Sequence, residues 1–307
     1  MRHPRAHAWE IAAGIAVGGA ALAGFRTVAG RPIRSASTLT AAGAGMAASG
    51  LMVYEWLSPR SWLYGPVFWQ ARTAEHVVAL TFDDGPCHPY TEQLLDILDQ
   101  EEITATFFQI GNNVRREPNL AAEVASRHVV GNHTFDHPQL VWSRPGTVRE
   151  QLRRGQEAIH AATGSLPHLF RVPYGWFGPQ VVATAEELGF RCVGWSVMAW
   201  DWNRPPSELI KRRILRGVRP GGVTLLHDGQ DTDAFPKADR SHTIAAVPHI
   251  IRSLKASGYG FLTLPELMDL DAQDRQHCRQ GAGTRCRPLR LLRKGEAEAR
   301  RSPEPGA

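Results

Sequence analysis

From residue 77 onward the chain alternates short apolar stretches with segments carrying apolar residues at helical spacing, and this alternation limits the fold more than any other feature. The expected strands are Val77–Phe82, Thr104–Ile110, Val129–His133, His168–Val172, Cys192–Val197, Gly222–Leu226 and Gly260–Leu264. Between them, "TEQLLDILDQ", "PNLAAEVASR", "TVREQLRRGQEAIHAAT", "PQVVATAEELG", "PSELIKRRILRG" and "HTIAAVPHIIRSLKASG" read as helices. Several end at a glycine (Gly164, Gly189, Gly217, Gly258), the residue that helix C-termini favour. Such alternation implies a parallel sheet in an α/β fold, either open and doubly wound or closed into a barrel. In both arrangements reactive residues gather at the C-terminal ends of the strands.

Residues with chemistry fall at those ends. Asp83 and Asp84 close the first expected strand, and His133 and His137 follow the third. Arg171, in "RVPYG", follows the fourth; Asp201 follows the fifth and His227 the sixth. Spaced four apart, His133 and His137 are expected on one side of a helical turn. With a carboxylate from another strand end they form a common divalent-metal set that leaves positions open for water and substrate. Two adjacent aspartates would otherwise oppose each other's ionisation. A cation offsets that cost. One aspartate then binds the metal while the other stays free as a general base toward water. His227 is the candidate general acid, and Arg171 the group that fixes the free aspartate through a charge-assisted hydrogen bond. Backbone N–H groups at Tyr174 and Gly175 form a turn suited to an oxyanion. Cys87 and His88, just after the aspartate pair, are expected at the rim.

The 307-residue chain is 43% hydrophobic and 21% charged, a balance that suits a globular domain with a substantial core. Cys87, Cys192, Cys278 and Cys286 give no CxxC pair and no metal-finger spacing, although Cys278 and Cys286 are close enough in sequence to bridge in an oxidising compartment. Ile11–Phe25 is an uncharged run of 15 residues and Ser35–Tyr54 a second of 20, the latter long enough to span a bilayer. Arg26, Arg31 and Arg34 precede the second run, and the positive-inside rule then sets the following domain outside the cytoplasm. The net charge of +5 is concentrated in a C-terminal tail crowded with arginine and devoid of aromatic residues, expected to be solvated and disordered. The expected organisation is a membrane anchor or signal region at 1–57, a linker at 58–74, a catalytic domain at 75–270 and the tail at 271–307. The membrane is an expected partner through the N-terminal segment; nucleic acid is not.

With these residues assembled, the chain resembles the polysaccharide deacetylases of the NodB-homology type, carbohydrate esterase family 4. The resemblance covers residues 75–270 and rests on "TFDDG" (81–85), "HTFDH" (133–137), "RVPYG" (171–175), "MAWDW" (198–202) and "TLLH" (224–227). It implies a distorted seven-stranded (β/α) barrel and metal-dependent removal of acetyl groups from an N-acetylated polysaccharide, with peptidoglycan or a chitin-like polymer as expected substrate. Carried over, Asp83 is the base; Asp84, His133 and His137 hold a divalent metal ion, usually zinc; His227 is the acid and Arg171 orients the base. The Tyr174 backbone contributes to the oxyanion site, and Trp202 and Leu225 line the acetyl pocket. The fourth motif departs from the family's usual Asp-x-x-Asp-Trp, with Met198 at its first position, so Asp201 is the carboxylate expected to support His227. Alternative readings are a deacylase or deformylase of a lipid-linked amino sugar, an O-acetyl esterase, and a silent glycan-binding module. The intact base, acid and metal set argues against the last.

Overall fold

The computed structural model describes residues 65–230 and 239–280, together with Gly45 and Gly50. The chain divides into two units, Met1–Leu57 and Ser58–Ala307, and the description below concerns the second. The two apolar runs expected to meet a membrane lie outside the described residues, apart from those two glycines. Among the described residues no helix is long and apolar enough to cross a membrane.

Ten short strands and eight α-helices make up the described part. The strands are β1 (Val67–Phe68), β2 (Val77–Ala79), β3 (Thr81–Gly85), β4 (Thr106–Gln109), β5 (Val129–Asn132), β6 (Leu169–Phe170), β7 (Arg191–Val193), β8 (Val197–Met198), β9 (Gly222–His227) and β10 (Gly260–Phe261). The helices are α1 (Tyr90–Gln100), α2 (Gly111–Arg116), α3 (Pro118–Arg127), α4 (Pro145–Thr163), α5 (Pro179–Glu187), α6 (Ser207–Gly217), α7 (Ser241–Ala256) and α8 (Leu264–Gln280).

All strand pairings are parallel, as the alternation requires. β2 and β3 keep one register against β9, Val78 opposite Gly222 and Asp83 opposite His227. They are two halves of one strand, as the sequence implies. The ladder lapses between them because the Thr81 amide donates to the Thr224 hydroxyl and the Thr81 hydroxyl donates to the Thr224 carbonyl. From there the order runs β3, β4, β5, β6, β7, β1. An isolated bridge from Gln70 to Gly222, with the Ala71 amide on the Gly221 carbonyl, ties the segment after β1 back to β9.

Alternating residues divide the core in two, as the pleat demands. On β4, Phe107 joins Phe82, Leu94 and Val124 under the helices, while Phe108 joins Ala79, Trp195, Val223 and Leu225 on the other face. Burying such side chains contributes about 1.5–3 kcal/mol each before entropy is counted.

Four expectations need correction. β1 lies in the stretch read as a linker, where Ala71 is also buried; two residues are too few to carry a period. The strand expected at Cys192–Val197 is broken into β7 and β8, because the Gly194 carbonyl turns away to accept from Arg171. α8 runs ten residues past the boundary set for the tail, with Asp271 and Asp274 buried and the Asp271 carboxylate accepting from the Arg72 amide at 2.7 Å. Buried aspartates disguise that helix's inner face. Finally, residues 133–137 form no helical turn: Thr134 and His137 have left-handed backbones, φ 70° and 57°.

Candidate metal and catalytic site

Side chains alternate along a strand, so two consecutive aspartates on β3 should face opposite ways. They do not, because the register shifts between Asp83 and Gly85 and Asp84 takes φ 74°. A bulge with a left-handed residue re-aims a side chain, and aspartate tolerates that conformation better than most. Both carboxylates are buried, and their neighbours differ.

Asp84 faces the two histidines. Its Oδ1 lies 3.3 Å from His133 Nε2 and 3.3 Å from His137 Nε2. His133 Nδ1 is 2.7 Å from the Arg171 carbonyl, which only accepts, so Nδ1 carries the proton and Nε2 presents its lone pair. Burial holds the His137 pKa down at about 4, which keeps its ring neutral. Burial also works to raise the Asp84 pKa, but in the acid range, where the imidazoles carry extra protons, His137 and His133 outweigh it and keep the carboxyl below its usual range. An ionised oxygen without a hydrogen-bond donor of its own therefore meets two imidazoles, with all three donor atoms within 4.8 Å. That set of buried acceptors fits a divalent cation.

The loop carrying these histidines has little regular structure and is held by its backbone groups. Gln151 Oε1 on α4 accepts from the Phe135 and Asp136 amides at 3.1 and 2.9 Å, and the Thr134 hydroxyl accepts from the His137 amide at 3.1 Å. Gly155 lets α4 close in: a Cβ there would lie 2.5 Å from Asn132 Oδ1 and 3.0 Å from the Thr134 carbonyl.

Asp83 faces Arg171. Arg171 Nη1 donates to Asp83 Oδ1 at 2.7 Å and to the Thr81 hydroxyl at 2.7 Å, and Nη2 donates to the Gly194 carbonyl at 2.9 Å. The guanidinium is completely buried, 4.2 Å over the Phe108 ring. Asp83 Oδ2 points toward His133 Nε2 at 3.8 Å, which keeps it beside the metal set.

His227 sits opposite Asp83 across the β3–β9 pair. Its Nδ1 is 2.9 Å from Asp201 Oδ1, and its amide donates to Asp201 Oδ2 at 2.8 Å. Thr243 adds a third hydrogen bond to that carboxylate at 3.0 Å. Burial works against the imidazolium, but Asp201 outweighs it, and the His227 pKa lies above the ordinary value. Trp202 meets the His227 ring edge-on at 5.4 Å. Met198 is paired with Leu225 and packs with the inner core, while Asp201 makes the contacts to His227. Leu225 is itself buried in that core cluster. Tyr174 has φ 62° and its ring stands 4.8 Å from that of His137. The exposed His88 pairs with Glu92 on α1 at 2.7 Å, and Cys87 is half-buried.

The polysaccharide deacetylase family profile matches residues 70–193. A peptidoglycan-N-acetylglucosamine deacetylase of Bacillus cereus is 37% identical over 210 residues, covering 66% of this chain and 93% of the relative. The chain belongs to the polysaccharide deacetylase family. Its enzyme class is that of the family's amide hydrolases. A chitooligosaccharide deacetylase of Bradyrhizobium sp. is 38% identical over 196 residues, covering 62% of this chain and 90% of the relative. The crystal structure of the Bc1960 peptidoglycan N-acetylglucosamine deacetylase with a hydroxamate ligand superposes with a TM-score of 0.63 at 33% identity, covering 68% of this chain and 96% of that one.

Within this deacetylase fold, sequence reasoning missed Asp228. It is buried beside the aspartate loop, its Oδ2 accepting from the Thr91 hydroxyl at 2.6 Å and its amide donating to the Asp83 carbonyl at 3.2 Å. Gly85 is required there, because a Cβ would come within 2.2 Å of the Asp228 carboxyl. Burial, with the charges of Asp84 and Asp83, pushes its pKa up to about 7. The "HDG" that follows "TLL" was its only signal.

Proposed function

We propose that this chain removes acetyl groups from an N-acetylglucosamine-containing envelope polysaccharide such as peptidoglycan or a chitin-like polymer. The observation that carries the reading is the buried Asp84–His133–His137 set with Asp83 and His227 facing each other across one strand pair. Asp84, His133 and His137 would hold a divalent ion, zinc by the chemistry of two imidazoles and a carboxylate. When bound, such an ion supplies Lewis acidity toward the acetyl carbonyl and makes water more acidic. Asp83, kept in place by Arg171, takes a proton from the attacking water as its oxygen adds to the carbonyl carbon. The backbone N–H of Tyr174 faces the developing oxyanion, while that of Gly175 is already donated to the Val172 carbonyl at 3.2 Å. As the C–N bond breaks, His227 gives its proton to the leaving amine, and acetate and a free amino sugar result. Asp201 serves that step by raising the His227 pKa, so that the acid keeps its proton to higher pH than a free imidazole would.

The same reading takes the strand ring as a distorted seven-stranded barrel, with Trp202 and Leu225 beside the acetyl methyl. The apolar runs at 11–25 and 35–54 support an anchored enzyme with its catalytic domain outside the cytoplasmic membrane. The test is acetate release from N-acetylglucosamine oligomers and from peptidoglycan, before and after chelation. Release abolished by chelator and restored by zinc is the expected result; release indifferent to metal removal would overturn the reading.

A further inference from the structure

Trp200 lies one residue before Asp201 and takes no part in the chemistry described so far. The residue is 43% exposed, and its backbone is left-handed at φ 52°. Each property is unfavourable. A non-glycine residue in that conformation is strained by about 1–3 kcal/mol, and a large aromatic left in water forgoes burial. The described residues hold four exposed large hydrophobics, Trp142, Leu166, Tyr174 and Trp200. Tyr174, at 50% exposure, and Trp200 alone among them have left-handed backbones, and both stand on turns that form the site. Tyr174 leans on His137, and Trp200 opens the short 3₁₀ turn Asp201–Asn203 that supplies the His227 partner.

The indole is also fixed. The Arg213 guanidinium on α6 sits 5.1 Å over the Trp200 ring, and its Nη1 donates to the Ala199 carbonyl at 2.7 Å. The same side chain thus grips the ring and the backbone that presents it. An exposed aromatic face held rigid in advance binds a flat apolar partner with little ordering cost. A pyranose offers such a partner in the face where its axial C–H bonds project.

We propose that Trp200 is a sugar-stacking platform. It would hold a pyranose unit of the polymer neighbouring the one whose acetamide lies between Asp83 and His227. The inference rests on the deacetylase reading of the site and adds a preference for extended, β-linked N-acetylated glycans over small acetyl compounds.

The test uses the zinc-loaded full chain, with Trp200→Ala and Trp200→Phe. Calorimetric titration with the N-acetylglucosamine pentamer and with peptide-free peptidoglycan strands gives Kd. Acetate release from the pentamer, set against hydrolysis of 4-nitrophenyl acetate, gives a selectivity ratio. An aromatic contact predicts that Trp200→Ala weakens pentamer binding and lowers the pentamer-to-ester ratio of kcat/KM by about five- to tenfold, with Trp200→Phe recovering most of it. A loss confined to one of the two polymers supports the platform and identifies its glycan. Binding within twofold of wild type for both polymers, with an unchanged ratio, overturns it. Trp200-dependent binding without acetate release by the wild type would remove the deacetylase reading and leave the platform standing. Acetate release that ignores Trp200→Ala would do the reverse.

Discussion

Two buried carboxylate–cation pairs flank the candidate metal set, and they differ in one chemical respect. Asp83 is bonded to Arg171, a cation that keeps its proton at any working pH. Asp201 is bonded to His227, which can give its proton up. The first pair fixes a group in position without competing for the proton it must receive. The second stores a proton and raises the pH to which it is retained. Both carboxylates are buried and each is held by its cationic partner at 2.7 and 2.9 Å, so the identity of that partner assigns the roles of base and acid.

The largest test of this contrast is Asp83→Asn, which should lower acetate release by about 10²–10⁴-fold, the usual worth of a general base. Metal content, measured by mass spectrometry, should stay at the wild-type level; a variant that lost the metal instead would make Asp83 a ligand. Next, Arg171→Met leaves a buried carboxylate without its counter-charge and should cost about 3–5 kcal/mol of stability, read from the urea midpoint. A midpoint close to wild type would mean that Asp83 does not need the pair.

Asp201→Asn sharpens the comparison from the other side. His227 acts while protonated, so activity holds below its pKa and falls as pH rises through it. Losing the carboxylate that lifts this pKa should move the alkaline limb of kcat/KM to lower pH and slow the enzyme by about 10–100-fold at neutral pH. The urea-destabilised Arg171→Met protein should keep its alkaline limb where it was; if both variants move it, the two pairs share a function. The smallest effect is expected of Thr243→Val, which removes one hydrogen bond from Asp201 at a cost of about 1 kcal/mol. A less satisfied Asp201 attracts the imidazolium more strongly, so the alkaline limb should shift slightly upward.

What could be read from the chain in advance were residue types at strand ends. Asp83, Asp84, His133, His137, Arg171, Asp201 and His227 converge because each lies at the C-terminal end of a strand of one parallel sheet or just beyond it, and strand periodicity survives in sequence. Conformations imposed by tertiary contact did not survive. The His133–His137 spacing suits a helix, yet Gln151 and Asn132 take the loop amides and leave Thr134 and His137 left-handed. Asp228 looks like any turn aspartate until Thr91 and the Asp83 carbonyl are seen against it. The inner face of α8 was hidden because two of its buried positions are aspartates.

The register that sets Asp83 opposite His227 also has a consequence for how the protein is made. The two residues belong to neighbouring strands but leave the ribosome far apart in time, on the order of ten seconds at ordinary synthesis rates. Until β9 emerges, the edge of β3 that will receive it has no partner, and an unpaired edge beside apolar strands invites association with other nascent chains. A protein whose base must wait for its acid therefore carries an open strand edge through that interval, until β9 arrives to cover it.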